Sequence, residues 1–387
     1  MIDLSPLVGE PDADDGLELT FRVFPKTGRE RWMLEMQYSK PWHLKTWPRV
    51  NLRARLIYAV AQVLSWIGLS LPHRKITIPV APDAPYWKLR QEFVRLGIFL
   101  GTPGPNRKFV VFAGKGRDEV FVKIPLSSTS AALVDNEAEA IAQLSADPNL
   151  SRLLPQARRV AGHLAVENME LRGGGFRKLS TEAVVHVHDL LYARSRISCS
   201  LVKVRASVLA EEEASGWKDS LVDHSPAHRA LIDSCRSSAE GFIGKLSPYL
   251  EVDCYEAHGD LTPWNVLATR HGDARIIDWE LFGLKPRYFD LVHYFAAADI
   301  LLKHAAPKEI IAHLDAVGAG RDQWRLYVGL YVVLQALYHC MIYDRQPDLH
   351  VQAIWQMETW RGMIELLDTM QPPSLSHSTE ILNSSPN

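Results

Sequence analysis

Apolar and polar residues alternate along several short stretches in the first half of the chain. Residues 17–23 and 32–38 alternate with a period of two, and the segment that joins them contains Pro25 and Gly28. This pattern predicts a β-hairpin. Further β-rich runs occur between glycine and proline residues, at 97–100, 108–112 and 119–124. Runs of this length predict three more strands.

The second half of the chain has a mainly helical pattern. Residues 136–144 already favour a helix, and after residue 177 helical spacing is interrupted only around 258–280. The aromatic and apolar residues of 324–338 are typical of a helix in a protein core. Residues 372–387 are rich in Ser, Pro and Asn and predict a disordered tail.

Composition narrows the class of protein. The chain has 387 residues, of which 47% are hydrophobic and 23% charged, so it is long enough for two or three packed units. Its four cysteines are scattered and form no CxxC pair, which argues against a disulfide framework or a zinc site. Residues 1–21 contain six acids and no Lys or Arg, so no secretion leader is predicted. We expect a reducing, cytoplasmic location.

Positive charge is concentrated near the N-terminus. Residues 22–75 contain eleven Lys or Arg against two Glu, which suggests an anionic neighbour. Within them, 56–71 is an apolar run of 16 residues, shorter than the ~20 that span a bilayer. Two interpretations stay open: a helix buried against the protein body, or a helix in a membrane interface that holds the protein peripherally on anionic headgroups. Nucleic acid is not expected, since no stacking or groove-reading motif accompanies the charge.

Two segments carry candidate chemistry. Residues 258–265 read His-Gly-Asp-Leu-Thr-Pro-Trp-Asn, and residues 277–280 read Ile-Asp-Trp-Glu after an apolar run. Asp260 can accept or orient the proton of an attacking hydroxyl, while Asn265 and Asp278 can hold Mg²⁺ against nucleotide phosphates. Together the segments predict a kinase-type phosphotransfer site.

These motifs, with Gly259 where protein kinases have Arg, resemble those of the aminoglycoside phosphotransferase and choline kinase family over residues 95–345. The resemblance implies an α+β, bilobal protein kinase-like fold with a β-rich N-lobe and a mainly helical C-lobe. The predicted domains are a basic N-terminal extension with a hairpin and an apolar helix (1–90), the N-lobe (91–170), the C-lobe with the catalytic loop (171–371) and the tail (372–387).

The resemblance also suggests the nucleotide clamp. Lys123 lies among alternating apolar residues, where a strand would direct its ammonium group to the α- and β-phosphates, and the family pattern favours Glu137 as its partner. Residues 163–175 resemble the strand and hinge between the lobes. The backbone of Glu167, Asn168 and Met169 would then pair with the nucleobase.

The loop between the first two N-lobe strands departs from the expected pattern. It lacks GxGxxG, and only Gly101 and Gly104 could let backbone amides approach a phosphate closely. An ordinary hairpin turn is the alternative. We expect His258 and Glu280 to brace the site rather than to react.

The sequence therefore predicts a phosphotransferase that uses Mg²⁺ and ATP or GTP to phosphorylate a hydroxyl of a small molecule, such as a sugar, an amino alcohol or an aminoglycoside-like compound. The alternative is a catalytically degenerate kinase-fold protein that binds nucleotide and docks to a partner or a membrane. A protein kinase is less favoured, because no Ala-Pro-Glu segment follows Asp278.

Overall fold

The computed structural model describes residues 3–10, 16–46, 52–102, 106–169, 174–175, 179–214, 224–269, 274–344 and 349–370, the side chains of 52–55, 174–175, 208–214 and 269 apart. The chain forms two compact units. The first contains residues 1–191 and 258–283, and the second contains residues 192–257 and 284–387. The predicted catalytic loop thus belongs to the first unit, together with the β-rich part. The predicted tail, 372–387, lies outside the described residues.

The strands are β1 Leu17–Phe24, β2 Trp32–Glu35, β3 Arg74–Val80, β4 Arg95–Phe99, β5 Lys108–Lys115, β6 Asp118–Pro125, β7 Ala157–Val160, β8 His163–Glu167, β9 Gly174–Gly175, β10 Ile197–Ser200, β11 Glu251–Ala257, β12 Val266–Thr269, β13 Ala274–Ile276 and β14 Gly283–Pro286. Eight of them form one sheet in the order β3-β1-β2-β4-β5-β6-β8-β7, and its neighbouring strands are antiparallel. Two three-stranded sheets have the orders β10-β11-β14 and β13-β12-β9.

The helices are α1 Ser5–Val8, α2 Leu52–Trp66, α3 Pro85–Glu92, α4 Ser128–Ser145, α5 Thr181–Ser195, α6 Leu201–Ala214, α7 Pro226–Ile243, α8 Phe289–Ala298, α9 Pro307–Val317, α10 Trp324–Tyr343 and α11 Val351–Thr369. A 3-10 helix covers Trp42–Thr46, and a π-helical turn covers Asp299–Lys303. The architecture is therefore α+β, with strands concentrated in the first half of the chain and helices in the second, as the sequence predicts.

The predicted hairpin is confirmed, because β1 and β2 pair antiparallel with Phe24 opposite Trp32. The three later apolar runs coincide with β4, β5 and β6, and α4 contains the predicted helix 136–144. Strand β2 also pairs with β4, where Met33 lies opposite Ile98. The strands of residues 1–90 and of the predicted N-lobe therefore belong to one sheet and share one apolar core. The domain boundary at residue 90 stays a prediction.

Helix α4 begins at a capping box formed by Ser127 and Ser130. The hydroxyl of Ser127 accepts a hydrogen bond from the Ser130 backbone amide, and the Ser130 hydroxyl accepts one from the Ser127 amide. Such reciprocal bonds satisfy amides that have no partner within the helix. The buried face of the helix then includes Val134, Glu137 and Ile141.

Helix α10 forms the core of the second unit. Among the described residues it is the single helix long and apolar enough to cross a membrane, and 83% of its most apolar stretch is buried inside the protein. It packs against α7, α11 and α8. The prediction that residues 324–338 belong to a core is confirmed.

Helix α2 is buried on one side only. Ala61 is buried, whereas Leu56, Val63 and Trp66 are exposed. Of the two interpretations, burial against the protein body therefore holds for the Ala61 side only, because this helix presents more apolar surface than one contact side can cover.

Candidate active site

The predicted catalytic loop follows β11 and turns sharply at Gly259. This residue has φ +85°, and a Cβ atom there would lie 2.1 Å from the carbonyl oxygen of Leu281. Both the left-handed backbone and the close approach require glycine. The Gly of the His-Gly-Asp motif thus lets the loop lie directly against the segment that carries Asp278.

His258 connects these two segments through both nitrogens of its ring. The ring is buried, Nε2 lies 3.0 Å from the carbonyl oxygen of Ile277, and Nδ1 accepts from the backbone amide of Asp260 at 3.2 Å. Acceptance at Nδ1 places the proton on Nε2, which donates to Ile277. The ring also contacts Trp279 edge-on, with centroids 4.6 Å apart. These contacts agree with a bracing role.

The side chain of Asn265 orients Asp260. Its amide nitrogen donates to Oδ2 of Asp260 at 2.9 Å and to the Asp260 carbonyl oxygen at 3.0 Å. The nitrogen is thereby committed to Asp260, and the amide oxygen is the atom that could bind a cation. The two loop residues of the predicted site are in direct contact.

Asn265 also sets the position of Asp278. Its carbonyl oxygen accepts from the backbone amide of Ile277 at 2.9 Å, next to the β12–β13 pairing of Val266 with Ile276. Asp278 follows immediately with φ +69°, a conformation that is uncommon for a residue with a side chain. Such backbone strain is frequent where a functional side chain must face a fixed direction.

Lys123 of β6 bridges two carboxylates. Its Nζ atom lies 2.5 Å from Oε2 of Glu137 and 2.6 Å from Oδ1 of Asp278. Burial alone would lower the pKa of Lys123, but the charges of Asp278 and Glu137 outweigh burial and hold that pKa well above its usual value. Burial alone would likewise raise the pKa of Asp278, but Lys123 and Lys108 outweigh it and hold the pKa well below its usual range. Lys123 and Asp278 are therefore both charged at neutral pH.

Glu280 lies beside Lys123, Glu137 and Asp278. The sequence predicted that it braces the site but did not indicate its partners. Its carboxylate pairs with Lys108, the first residue of β5, and its carbonyl oxygen accepts from the Asn136 side chain at 2.9 Å. Asn136 also donates to the Phe282 carbonyl oxygen at 2.9 Å. Burial, followed by the charge of Asp278, raises the pKa of Glu280 to about 7. The bracing contacts were predicted, but Lys108 and Asn136 carry no motif that identifies them as partners.

The three carboxylates fit a divalent metal ion. Glu137, Asp278 and Glu280 each place one oxygen within 4.8 Å of the others. Mg²⁺ prefers oxygen ligands and usually takes one or two carboxylates, with phosphates and waters in its other positions. Asp278 and Glu280 are the more accessible of the three, since Glu137 is fully buried against Lys123. The donor set therefore suits Mg²⁺ better than a softer metal.

The backbone of the loop between β4 and β5 requires glycine at position 101. Gly101 has φ +75°, and a Cβ atom there would lie 2.4 Å from the carbonyl oxygen of Lys108. Arg107 closes the turn by donating from Nε to the Leu100 carbonyl oxygen at 2.9 Å. Gly104, the second predicted phosphate contact, lies outside the described residues. These contacts hold the two ends of the loop together, and a contact of Gly101 with phosphate stays a prediction.

In the predicted hinge, the backbone amides of Glu167 and Asn168 form hydrogen bonds within the protein. The backbone amides of Glu167 and Asn168 donate to the carbonyl oxygens of Gln156 and Glu119, both at 2.8 Å. The Asn168 side chain adds a bond to the Glu119 carboxylate at 2.8 Å. Of the three predicted residues, Met169 is the one whose backbone amide is not used in these contacts.

Comparison with known proteins supports the assignment of the catalytic segment. The family model described as "Phosphotransferase enzyme family" matches residues 257–327. No curated protein matches the chain.

Several solved structures are similar to this chain. Choline kinase LicA from Streptococcus pneumoniae has a TM-score of 0.42 at 15% identity, over 67% of this chain and 89% of that one. A microcompartment-associated aminopropanol kinase has a TM-score of 0.41 at 14% identity, over 72% and 94%. A thermostable mutant of an aminoglycoside phosphotransferase has a TM-score of 0.42 at 13% identity, over 67% and 90%.

The matched segment contains Asp260, Asn265 and Asp278, the residues that first suggested the resemblance. The resemblance is thus confirmed for residues 257–327, which match the model of the phosphotransferase enzyme family.

Proposed function

We propose that this protein transfers the γ-phosphoryl group of ATP or GTP to a hydroxyl group of a small molecule, with Mg²⁺ as the required metal. The observation that carries the proposal is the position of Lys123, which contacts Glu137 of α4 and Asp278 at the same time. A lysine held by a helix glutamate beside a metal-binding aspartate is the arrangement that phosphotransfer requires.

Lys123 is the residue that would hold the α- and β-phosphates. Glu137 is fully buried and fixes the lysine from one side, so the ammonium group is oriented before nucleotide binds. Asp278 and the amide oxygen of Asn265 would hold Mg²⁺, with Glu280 as a further oxygen donor. The metal would neutralise charge on the transferred phosphoryl group, and the protein contributes mainly position and charge.

Asp260 would align the acceptor. The hydroxyl oxygen of the acceptor forms a bond to the γ-phosphorus, the bond from that phosphorus to the bridging oxygen breaks, and the nucleoside diphosphate leaves. The hydroxyl proton passes to the Asp260 carboxylate. Asn265 donates to Oδ2 of Asp260 at 2.9 Å, and this bond fixes the orientation of the carboxylate that would receive the proton.

The nucleobase would pair with the hinge at Met169, since the amides of Glu167 and Asn168 donate within the protein. Backbone pairing of this kind accepts adenine or guanine according to the local geometry. The acceptor would be a sugar, an amino alcohol or an aminoglycoside-like compound. A cytoplasmic location agrees with the use of these nucleotides.

The test is turnover by purified protein with Mg²⁺ and ATP, and separately GTP, against a panel of small alcohols, measured as nucleoside diphosphate release. We expect Asp260→Asn to lower kcat about 10²- to 10⁴-fold and to leave nucleotide affinity unchanged, because a general base acts on the acceptor. Asp278→Asn should weaken binding of the magnesium nucleotide itself.

Asp135→Asn is the matched control. Asp135 is an exposed residue of α4 that pairs with Arg159, so its loss should change neither turnover nor nucleotide affinity. Nucleotide binding without turnover across the panel would contradict the proposal and favour the degenerate binding protein. Equal losses in the Asp135 and Asp260 variants would remove the assigned role of Asp260.

A further inference from the structure

The outer face of α2 is apolar and exposed. Leu56 is 63% exposed, Val60 45%, Val63 59% and Ile67 56%, and their spacing of four, three and four residues forms one stripe along the helix. Trp66 at the end of the helix is 88% exposed. Residues 56–71 contain no charged residue. Large apolar side chains grouped in this way mark an interaction surface more often than scattered ones do.

The opposite side of the same helix is anchored to the sheet, so the exposed stripe has a fixed orientation. Ala61 is 3% exposed, and the hydroxyl of Ser65 donates to the Ser39 carbonyl oxygen at 3.1 Å. Both residues line a small cavity of about 10 Å³ together with Phe24 and His43. The helix is therefore docked by its small residues and presents its large ones outward.

Basic residues collect at the end of the sheet next to the C-terminal end of α2. Strands β1 and β3 are antiparallel, so the start of β3 lies beside the β1–β2 turn, with Val23 opposite Arg74. Among the described residues of the β1–β2 turn and the start of β3, the one acid is Glu30. Five exposed cations lie there: Lys26, Arg29, Arg31, Arg74 and Lys75. Glu30 pairs with Arg74, which leaves an excess of positive charge.

The apolar stripe and this basic cluster are adjacent. Phe24, the last residue of β1, and Leu69, just after α2, line the same small cavity. Phe24 also contacts the ring of His73, with centroids 5.7 Å apart, immediately before Arg74. Exposed Leu69, two residues after the end of the apolar stripe, therefore lies near Phe24, whose ring neighbour His73 directly precedes Arg74.

We propose that this face, the stripe of α2 with the basic cluster of the β1–β2 turn and the start of β3, docks the protein on an anionic membrane surface. The apolar side chains would enter the boundary between headgroups and acyl chains, and the cations would lie among anionic headgroups. The helix would lie in the plane of the interface, since a run of 16 apolar residues is too short to span a bilayer.

Charge complementarity favours a membrane over a second copy of the chain. In a symmetric dimer through this face, each basic cluster would lie close to its own copy, and like charges repel. An anionic bilayer has an apolar layer that could receive the α2 stripe, and negatively charged headgroups directly above it that could pair with the basic cluster.

The test is co-sedimentation of the full chain with vesicles of phosphatidylcholine alone and of phosphatidylcholine with phosphatidylglycerol. We expect binding to the anionic vesicles at low salt, weaker binding as ionic strength rises, and little binding to the neutral vesicles. Trp66→Ser should lower the partition coefficient about tenfold, since a large exposed ring loses its apolar environment. Lys75→Gln should lower it about fivefold, the loss expected for one cation near an anionic surface.

Two substitutions at comparable positions elsewhere serve as controls. Val351→Ser removes an apolar side chain that is 82% exposed, and Lys308→Gln removes an exposed cation on α9. Neither should change vesicle binding, and thermal unfolding should show that all four variants are folded.

The proposal fails if the protein binds neither kind of vesicle, or if the control variants lose as much binding as the Trp66 and Lys75 variants. It also fails if Trp66→Ser converts a dimer to a monomer while vesicles bind no protein, because the face would then join two copies. Capture by an acidic protein without vesicle binding would likewise overturn it. These outcomes do not depend on phosphotransfer, so they separate this inference from the proposed function.

Discussion

His258 uses both nitrogens of its ring to hold the backbone around Asp260, and Asn265 holds the Asp260 carboxylate directly. Residues with such defined chemical roles could be identified from the sequence, because few residue types can perform them and their spacing within one loop is short. The pairing of Lys108 with Glu280 could not, since these residues are 172 positions apart and ion pairs between distant residues leave no local pattern.

His43 is a second residue whose role only the structure shows. It is buried against Phe24, with stacked rings whose centroids are 4.4 Å apart, and neither of its ring nitrogens has a hydrogen-bond partner in the part of the chain that the structure describes. Burial, followed by the charge of Arg22, lowers the pKa of His43 to about 3. The folded protein therefore holds this ring neutral.

We predict that His43 makes stability fall on acidification. Because its pKa is lower in the folded than in the unfolded state, its contribution is complete above the unfolded value of 6.5 and is lost as pH falls toward 3. The free energy of unfolding should fall by about 2 kcal/mol more in the wild type than in His43→Phe between about pH 7.5 and about pH 5. Urea unfolding at each pH measures the difference.

The exposed His186 provides the control, because His186→Phe should keep the pH dependence of the wild type. If His43→Phe retains that dependence as well, protonation of this buried ring is not the cause.

At the scale of elements, the catalytic loop and the β12–β13 hairpin position each other. The loop approaches the hairpin through Gly259, and Asn265 begins the pairing that ends just before Asp278. The sequence identified both segments as ones that contain candidate catalytic or metal-binding residues. It did not reveal that the backbone of one lies against the backbone of the other, because the only signal for a close approach is a single glycine.

We predict that Gly259→Ala displaces this loop. The new Cβ would overlap the Leu281 carbonyl oxygen in a left-handed conformation, so unfolding free energy should fall by at least about 1–3 kcal/mol. A shift of Asp260 by about 1 Å should lower turnover on the order of 10²-fold. Denaturant unfolding and kcat measure the two effects.

Gly283→Ala is the matched control, since a Cβ at Gly283 meets open space. It should leave stability and turnover near the wild-type values. Similar losses in both variants would indicate that the overlap at Leu281 is not what places the loop.

At the scale of the whole molecule, strands β1, β2 and β3 of residues 1–90 belong to the main sheet of the first unit. The sequence suggested a separate N-terminal extension, because residues 1–90 contain the excess of positive charge and the apolar helix. The segment that begins at residue 95 instead consists of short β-rich runs. In the structure β2 hydrogen-bonds to β4 and the core includes residues from both parts, and the boundary at residue 90 stays a prediction.

We predict that a core substitution in β1 weakens the whole sheet. Phe21 is fully buried, so Phe21→Ala should lower the unfolding free energy by about 3–5 kcal/mol. Hydrogen exchange should accelerate in β5 and β6 as well as in β1, because the strands unfold together. Leu17→Ala, at a position of the same strand that is 45% exposed, should have an effect below about 1 kcal/mol. Faster exchange confined to residues 1–90 would instead support a separate module.

The sequence by itself predicted the α+β class of fold, the positions of β1, β2, β4, β5 and β6 and of helical segments within α4 and α10, and the candidate residues of the site. These depend on local periodicity and on motifs within a few residues, which are independent of the rest of the chain. Only the tertiary structure decided that Lys123 contacts Asp278 as well as its predicted partner Glu137, that Lys108 pairs with Glu280, and that α2 keeps one apolar side exposed. The physical reason is that burial and ion pairing depend on which distant parts of the chain come into contact. In a helix with apolar residues on every side, the sequence does not indicate which side will be buried.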